Sequence, residues 1–480
     1  RMTSQSINGA NTVNFTYDND SLPTGVGGLT ITRNAQNGLI TGKALGSVTD
    51  AWGYNNLAEL TSYSAQFNAT PLYATNFTRD KLGRLTQKVE TIGGVTNTID
   101  YAYDLAGRLS TVKLNNITVS TYTYDSNSNR ASYNGTVTGS YDAQDRMTAY
   151  GAATYTYTAN GELATKTVAA QTTNYSYDVI GSLRTVTLPD TTQIEYVIDG
   201  RNRRIGKKVN GTLTQGWLYQ DQLEPVVELD GGGNVVSRFV YGTRTHPPDY
   251  MVKGGVTYRI LTDHLGSVRL VVNAATGAIA QRLDYDEFGV VTLDTVPGFQ
   301  PFGFVGGLYD TQTKLVRFGA RDYDAETGRW TAKDPILFAG RDTNLYGYVM
   351  SDPINAIDYY GADPVSTAGG VAGGLIDPIT GASYDALTNL IKDADRIITD
   401  NTRLLNSLKK KKNKKACDLE AIKRLEDQIA RAQANKKNYI EGRLRIIWIS
   451  RAYHNTTDMW DPVGWYKQYQ RGEFTPLPSW

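Results

Sequence analysis

The chain has 480 residues, enough on length alone for two or three domains. Its 32 Tyr and 47 Gly, against 3 His, 5 Met and 1 Cys, favour strands and turns and point to a large β body. A net charge of +1 excludes binding of nucleic acid or membrane by bulk charge, and the lone Cys417 excludes an intrachain disulfide framework. No apolar run approaches the ~18–20 residues of a membrane-spanning helix.

The chain opens at Arg1 directly in repeat-like sequence and reads as a fragment or processed product. The stretch "FTRDKLGRL" (77–85) is a degenerate first copy of a unit. That unit then recurs as "YAYDLAGRL" (101–109), "YTYDSNSNR" (122–130), "SYDAQDRMTAY" (140–150), "YTYTANGEL" (155–163) and "YSYDVIGSL" (175–183). Self-similarity at a short fixed spacing is the mark of a repeat architecture. Tyr101 and Tyr103 lie at i and i+2 on one face of a strand. Asp104 is placed to accept from turn N–H groups, Gly107 supplies the positive φ of a tight turn, and Arg108-Leu109 begins the returning strand. Each unit is thus a β-hairpin that cannot bury its aromatic face alone, and stacked hairpins give one continuous sheet. These Tyr and Asp residues read as scaffold.

Farther on come "DHLGSVRLVVNAATGAIAQRLDYDEFG" (263–289), "ARDYDAETGRWTAKDP" (320–335) and "LYGYVMSDPINAIDYYG" (345–361). With the Y-D-x-x-G-R-L units, these blocks resemble the YD repeats and the RHS-repeat-associated core of the RHS family, over about residues 10–362. The expected fold is mainly β, with stacked YD-repeat hairpins forming a spiral or curved β-shell and a small α-helical C-terminal extension. The expected divisions are YD repeats over 1–258, core over 259–362, a linker over 363–383 and a variable domain over 384–480. The family implies a hollow shell that encloses cargo, as in insecticidal toxin complexes, bacterial Rhs effectors and teneurins. With so few repeats, either more precede Arg1 or the shell is small.

Many members of the family cut themselves after a D-P-x-G-L motif. The matching positions are Asp358-Tyr359-Tyr360-Gly361-Ala362, with Tyr359 in place of proline and Ala362 in place of leucine. The resemblance places the scissile bond at Ala362–Asp363, pairs Asp334 with Asp358, and adds Arg321 and Asp322. Such chemistry needs two carboxylates sharing a proton, one to activate water and one to protonate the leaving group. The bland alternative is that "DP" and "DxxG" are ordinary turn chemistry.

Beyond the core, "DPVSTAGGVAGGLIDPITGAS" (363–383) reads as a linker. Apolar residues then recur three and four apart from Leu387 to Leu408 and from Leu419 to Ala432, on either side of "KKKKNKK" (409–415). An αα-hairpin with a basic turn is the simplest structure, and 439–453 adds a third amphipathic segment. Residues 363–480 carry about five more basic than acidic residues. His454, Asp458 and Asp461 could ligate a metal, but no recognised nuclease motif accompanies them, and neither cofactor nor metal is expected. Two readings stand. One is a secreted or cell-surface bacterial shell whose own C-terminal domain is its cargo, with secretion machinery or an immunity protein as partners. The other is an extracellular structural or adhesive YD-repeat protein. A nuclease acting through the basic tail is a third, weaker reading, in which nucleic acid is the partner.

Overall fold

The computed structural model describes residues 2–362 apart from 244, 245 and 341, the strand Val365–Ser366, and scattered residues between Thr402 and Gln433. Asp363, most of the linker 363–383, Lys411 to Lys415, Cys417, the segment 439–453, His454, Asp458 and Asp461 lie outside the described residues. Twenty-nine strands from Ser4–Ile7 to Val291–Asp294 form a single sheet. Consecutive strands pair antiparallel throughout, from the first pair to the last, so the sheet is one long meander. It runs on past residue 258 without a break, through the strands Val256–Thr262 and Val268–Asn273.

The repeat physics is visible in each hairpin. Between the strands Val95–Tyr103 and Leu109–Leu114, Asp104 Oδ1 accepts from the N–H of Ala106 and of Arg108, at 2.9 and 3.0 Å. Gly107 adopts φ +87°, and Arg108 Nε pairs with Asp104 Oδ2 at 2.7 Å. In several repeats the tyrosine that ends the strand before the turn joins neighbouring repeats. Tyr103 donates to the Leu85 carbonyl, Tyr124 to Leu109 and Tyr219 to Arg204, at 2.7 to 2.8 Å. The turn arginine of the preceding repeat lies over the same ring, with Arg84 on Tyr103, Arg108 on Tyr124 and Arg203 on Tyr219, 4.6 to 5.2 Å from the centroids. Because strands alternate in direction, the Asp turns gather at one edge of the sheet. At the other edge two-residue turns such as Asn115-Asn116, Ala169-Ala170 and Asn210-Gly211 have positive φ at both positions, the hairpin turn that matches strand twist.

The sheet curls so that its early strands face its late ones. Val13, Val26, Leu29 and Leu45 pack with Val240, Tyr250 and Ala274. Tyr63, Leu72, Tyr73 and Ile92 pack with Leu261, Leu270 and Val272. Early and late strands thus share apolar clusters across the curled sheet, in keeping with the curved β-shell expected. Buried ion pairs fasten the walls: Lys43 to Asp249 and Arg259 to Asp50, both 2.6 Å, and Arg269 to Glu90, 2.9 Å.

After the meander, residues 299–362 lie along the Asp-turn edge. Arg329 donates to Asn129 Oδ1 and to the Asp145 carbonyl, Tyr346 to the Gly161 carbonyl, and Arg317 to Asn202. Asn355 receives the Leu85 N–H and donates to Tyr103 Oη. This segment ties turns of successive repeats together and caps that edge.

The chain divides into two units, Arg1–Gly373 and Gly374–Trp480. In the second, Thr402, Leu405, Asn406 and Lys409 are helical, as are Ile422, Glu426, Ile429 and Gln433. Lys409 Nζ meets Glu426 Oε1 at 2.6 Å, linking the two helical runs as an αα-hairpin requires. Leu405 is buried, as its place on the apolar face demands.

Candidate active site at the seam

The candidate residues converge where the capping segment ends. Strands Leu315–Phe318 and Arg321–Asp324 form a hairpin, and alternation sends Arg321 and Asp322 to opposite faces. Arg321 faces the seam. Asp322 does not: its carboxylate is held by Arg204 at 2.7 Å and by its cross-strand partner Arg317 at 3.0 Å. The structure therefore places Asp322 in a buried structural ion cluster, away from the group that Arg321 assembles.

Arg321 Nη2 is 2.9 Å from Asp334 Oδ2 and 3.2 Å from Asp358 Oδ2, so one nitrogen bridges both predicted carboxylates. The guanidinium lies over the Trp330 ring, 4.1 Å from its centroid, in an aromatic cluster with Phe318, Tyr323 and Tyr348. Arg321, Asp334 and Asp358 are all buried. Burial raises the Asp334 carboxyl above its ordinary range; Arg321 opposes that shift and Asp358 adds to it. Burial likewise lowers Arg321, against the pull of Asp358 and Asp334. Arg321, Trp330, Asp334, Asn344, Leu345 and Asp358 line a small cleft here.

Both aspartates also serve as turn residues through their other oxygen. Asp334 Oδ1 accepts from the N–H of Ile336 at 2.9 Å, and Asp358 Oδ1 from the N–H of Ala362 at 3.1 Å. Asp358 to Ala362 thus repeats the turn of Asp104 to Arg108: aspartate first, the N–H of the fifth residue on its Oδ1, and a positive-φ glycine fourth. Gly361 has φ +63°, and a Cβ there would meet the Phe318 carbonyl oxygen at 2.5 Å. What differs is the arginine. In the repeat turn it comes from the fifth position; here that position is Ala362, and Arg321 reaches in from another strand. Arg321 Nε also donates to the Gly361 carbonyl. The D-x-x-G spacing shared with the repeats was a signal of this turn in the sequence, and Arg321's bridging of the aspartates was not.

Tyr359, at the proline position of the motif, stacks on His246 at 6.1 Å and 20°. Beyond the turn, Val365–Ser366 pairs antiparallel with Ala356–Ile357, so Ala362 lies in the loop of a short hairpin. Among the described residues no cluster of His, Cys, Asp and Glu is arranged to hold a metal ion.

A Tyr-Asp meander curled on itself, with a capping segment along its Asp-turn edge, defines a YD-repeat shell protein with an RHS-type core. The family described as the teneurin YD-shell matches residues 1–354, and the chain belongs to that family. It is 30% identical to Teneurin-4 of Homo sapiens over 294 residues, 58% of this chain and 10% of that protein. It is 26% identical to the tRNA3(Ser)-specific nuclease WapA of Bacillus spizizenii over 257 residues, 50% of this chain and 11% of that one. The chain spans about a tenth of the length of these curated relatives. Among solved structures it is similar to TcdB2-TccC3, with a TM-score of 0.40 and 16% identity, covering 72% of this chain and 23% of that one.

Proposed function

We propose that this protein is an RHS-type β-shell that carries a C-terminal variable domain and is parted from it by aspartyl self-cleavage at the seam around Ala362. In this reading residues 1–258 are repeat wall, 259–362 the core, 363–383 the linker and 384–480 the carried domain, secreted or displayed at a bacterial surface. The observation that carries it is the convergence of Arg321, Asp334 and Asp358 on the loop that ends the core. Intact mass of the purified chain tests the reading. Two pieces meeting within residues 358–364 are expected, and a chain that folds and stays whole overturns it. The 30% identity to Teneurin-4 favours a second reading, an extracellular structural or adhesive YD-repeat protein with no cut. An uncut, folded chain is the result that reading requires.

A further inference from the structure

Away from the seam, a cavity of about 60 Å³ lies where the start of the capping segment meets three neighbouring strands. Tyr196, Lys207 and Gln215 stand opposite one another on the strands Gln193–Ile198, Arg204–Val209 and Thr212–Tyr219, so their side chains share one face. With Trp217 they line one side of the cavity, and Pro301, Leu308 and Asp310 line the other. Gly298 lies on its rim, where an added Cβ would meet nothing within 4 Å. The volume has room for about four waters, or for an acid of a few carbons.

Donors and acceptors are unequally supplied here. Among the described residues the wall holds one carboxylate, Asp310, and it is fully engaged. Its Oδ1 accepts from the N–H of Gln312 and Thr313 at 2.9 and 3.2 Å, and its Oδ2 meets Tyr196 Oη and Lys207 Nζ, both at 2.8 Å. A carboxylate has about four lone-pair sites, so none is left over. The donors are not spent. Lys207 is buried with three N–H groups and, among the described residues, the single partner Asp310. Trp217 Nε1 and Arg204 Nε, in residues of the same wall, find no acceptor among the described residues. The nearby acids are committed elsewhere, Asp322 to Arg204 and Arg317, and Glu228 to Gln215 and Ser237. Buried donors left unmet are costly, so the cavity calls for an acceptor.

We propose that this cavity binds a small organic monocarboxylate, with the carboxylate on the Lys207 ammonium and the carbon chain against Trp217, Pro301 and Leu308. An oxyanion brings acceptors without adding a donor, which water cannot do. Its bond to a buried ammonium is charge-assisted and therefore of the stronger kind. The apolar part of the wall selects an organic acid over inorganic phosphate, whose oxygens would face Trp217 and Leu308 without partners. Lys207 would then stand between two carboxylates, as Arg269 already does between Glu90 and Asp284. The site is separate from the seam and does not depend on whether the chain is cut there.

Equilibrium dialysis of the purified full-length chain against labelled butyrate, at fixed ionic strength, tests the proposal. One saturable site in the millimolar range is expected, with neither butyramide nor inorganic phosphate competing for it. Lys207→Met weakens binding by about 10-fold or more, and Trp217→Phe, which keeps an apolar ring but loses the N–H, by about 3-fold. Urea unfolding reports whether each variant keeps its fold. Trp217→Phe leaves the pair of Lys207 and Asp310 untouched, so it carries the test if Lys207→Met does not fold. Absence of saturable butyrate would leave the cavity to water and overturn the proposal. Equal competition by butyramide, which carries no charge, or tighter binding of phosphate would overturn it too. So would butyrate binding that is unchanged in either folded variant.

Discussion

Arg269 offers the sharpest test of how the two walls are held. It meets Glu90 through two nitrogens, Nη1 to Oε1 at 2.9 Å and Nη2 to Oε2 at 3.0 Å, and Asp284 at 2.8 Å. Tyr73 adds a hydrogen bond to Glu90 at 3.2 Å. Replacing Arg269 with Met keeps the stem and leaves Glu90 charged, buried and short of its main partner, a loss of about 3–5 kcal/mol. Titration of the same pair supplies a second magnitude. Burial alone would raise the Glu90 carboxyl, yet Lys88 and Arg269 hold it down from 4.5 to about 2. A carboxyl depressed that far contributes roughly 3 kcal/mol. Because its folded value is the lower one, that stability is present above pH 4.5 and lost as pH falls toward 2. Urea unfolding of the parent and of Arg269→Met, followed by tryptophan fluorescence between pH 7 and 3, reads both quantities. The variant is expected to lose about 3–5 kcal/mol at pH 7 and to show a flatter decline into acid. The double variant Glu90→Gln with Arg269→Met is expected to recover part of that loss, since no buried carboxylate is stranded, while Lys88 loses its own partner. A single variant within 1 kcal/mol of the parent, or a double variant as weak as the single, would refute the reasoning.

Other outcomes are expected from the repeats and the seam. Tyr124→Phe removes the bond to the Leu109 carbonyl and costs about 1 kcal/mol in urea unfolding. Gly107→Ala forces a side chain into φ +87° and costs about 1–2 kcal/mol by the same assay. Ala170→Gly at φ +65° relieves strain of that kind and raises the unfolding midpoint, by about 1 kcal/mol at most. Asp322→Ala strands Arg204 and Arg317 and lowers thermal stability by about 3 kcal/mol or more.

The features legible in the sequence are those that one repeat determines by itself. Asp104 and Gly107 could be assigned because the turn they form lies within five residues and recurs. The strand alternation after them is equally local. The convergence of Arg321, Asp334 and Asp358 could be expected only through family resemblance, because the pairing depends on strands brought together by the fold. Asp322 shows the limit of reading neighbours as a unit. It adjoins Arg321 in the chain, but the strand turns it to the other face, where Arg317 is its cross-strand partner. The contacts between early and late strands were likewise out of reach. Which wall Tyr63 and Tyr73 would meet depends on where the meander curls, and the partners Leu261 and Leu270 lie some two hundred residues away.

The position of the seam explains how a cut there could leave the shell undisturbed. The bonds from Arg317, Arg329, Tyr346 and Asn355 to the repeat turns all originate before residue 356. A break around Ala362 would sever none of them, and the Asp-turn edge would stay capped. On the far side of the break, Val365–Ser366 remains paired with Ala356–Ile357 through a ladder only two residues long. So short a ladder is marginal once the chain no longer joins its strands, because closing it then costs the association entropy that the loop had removed. Self-cleavage would thus leave the sheet, its cap and its buried ion pairs in place.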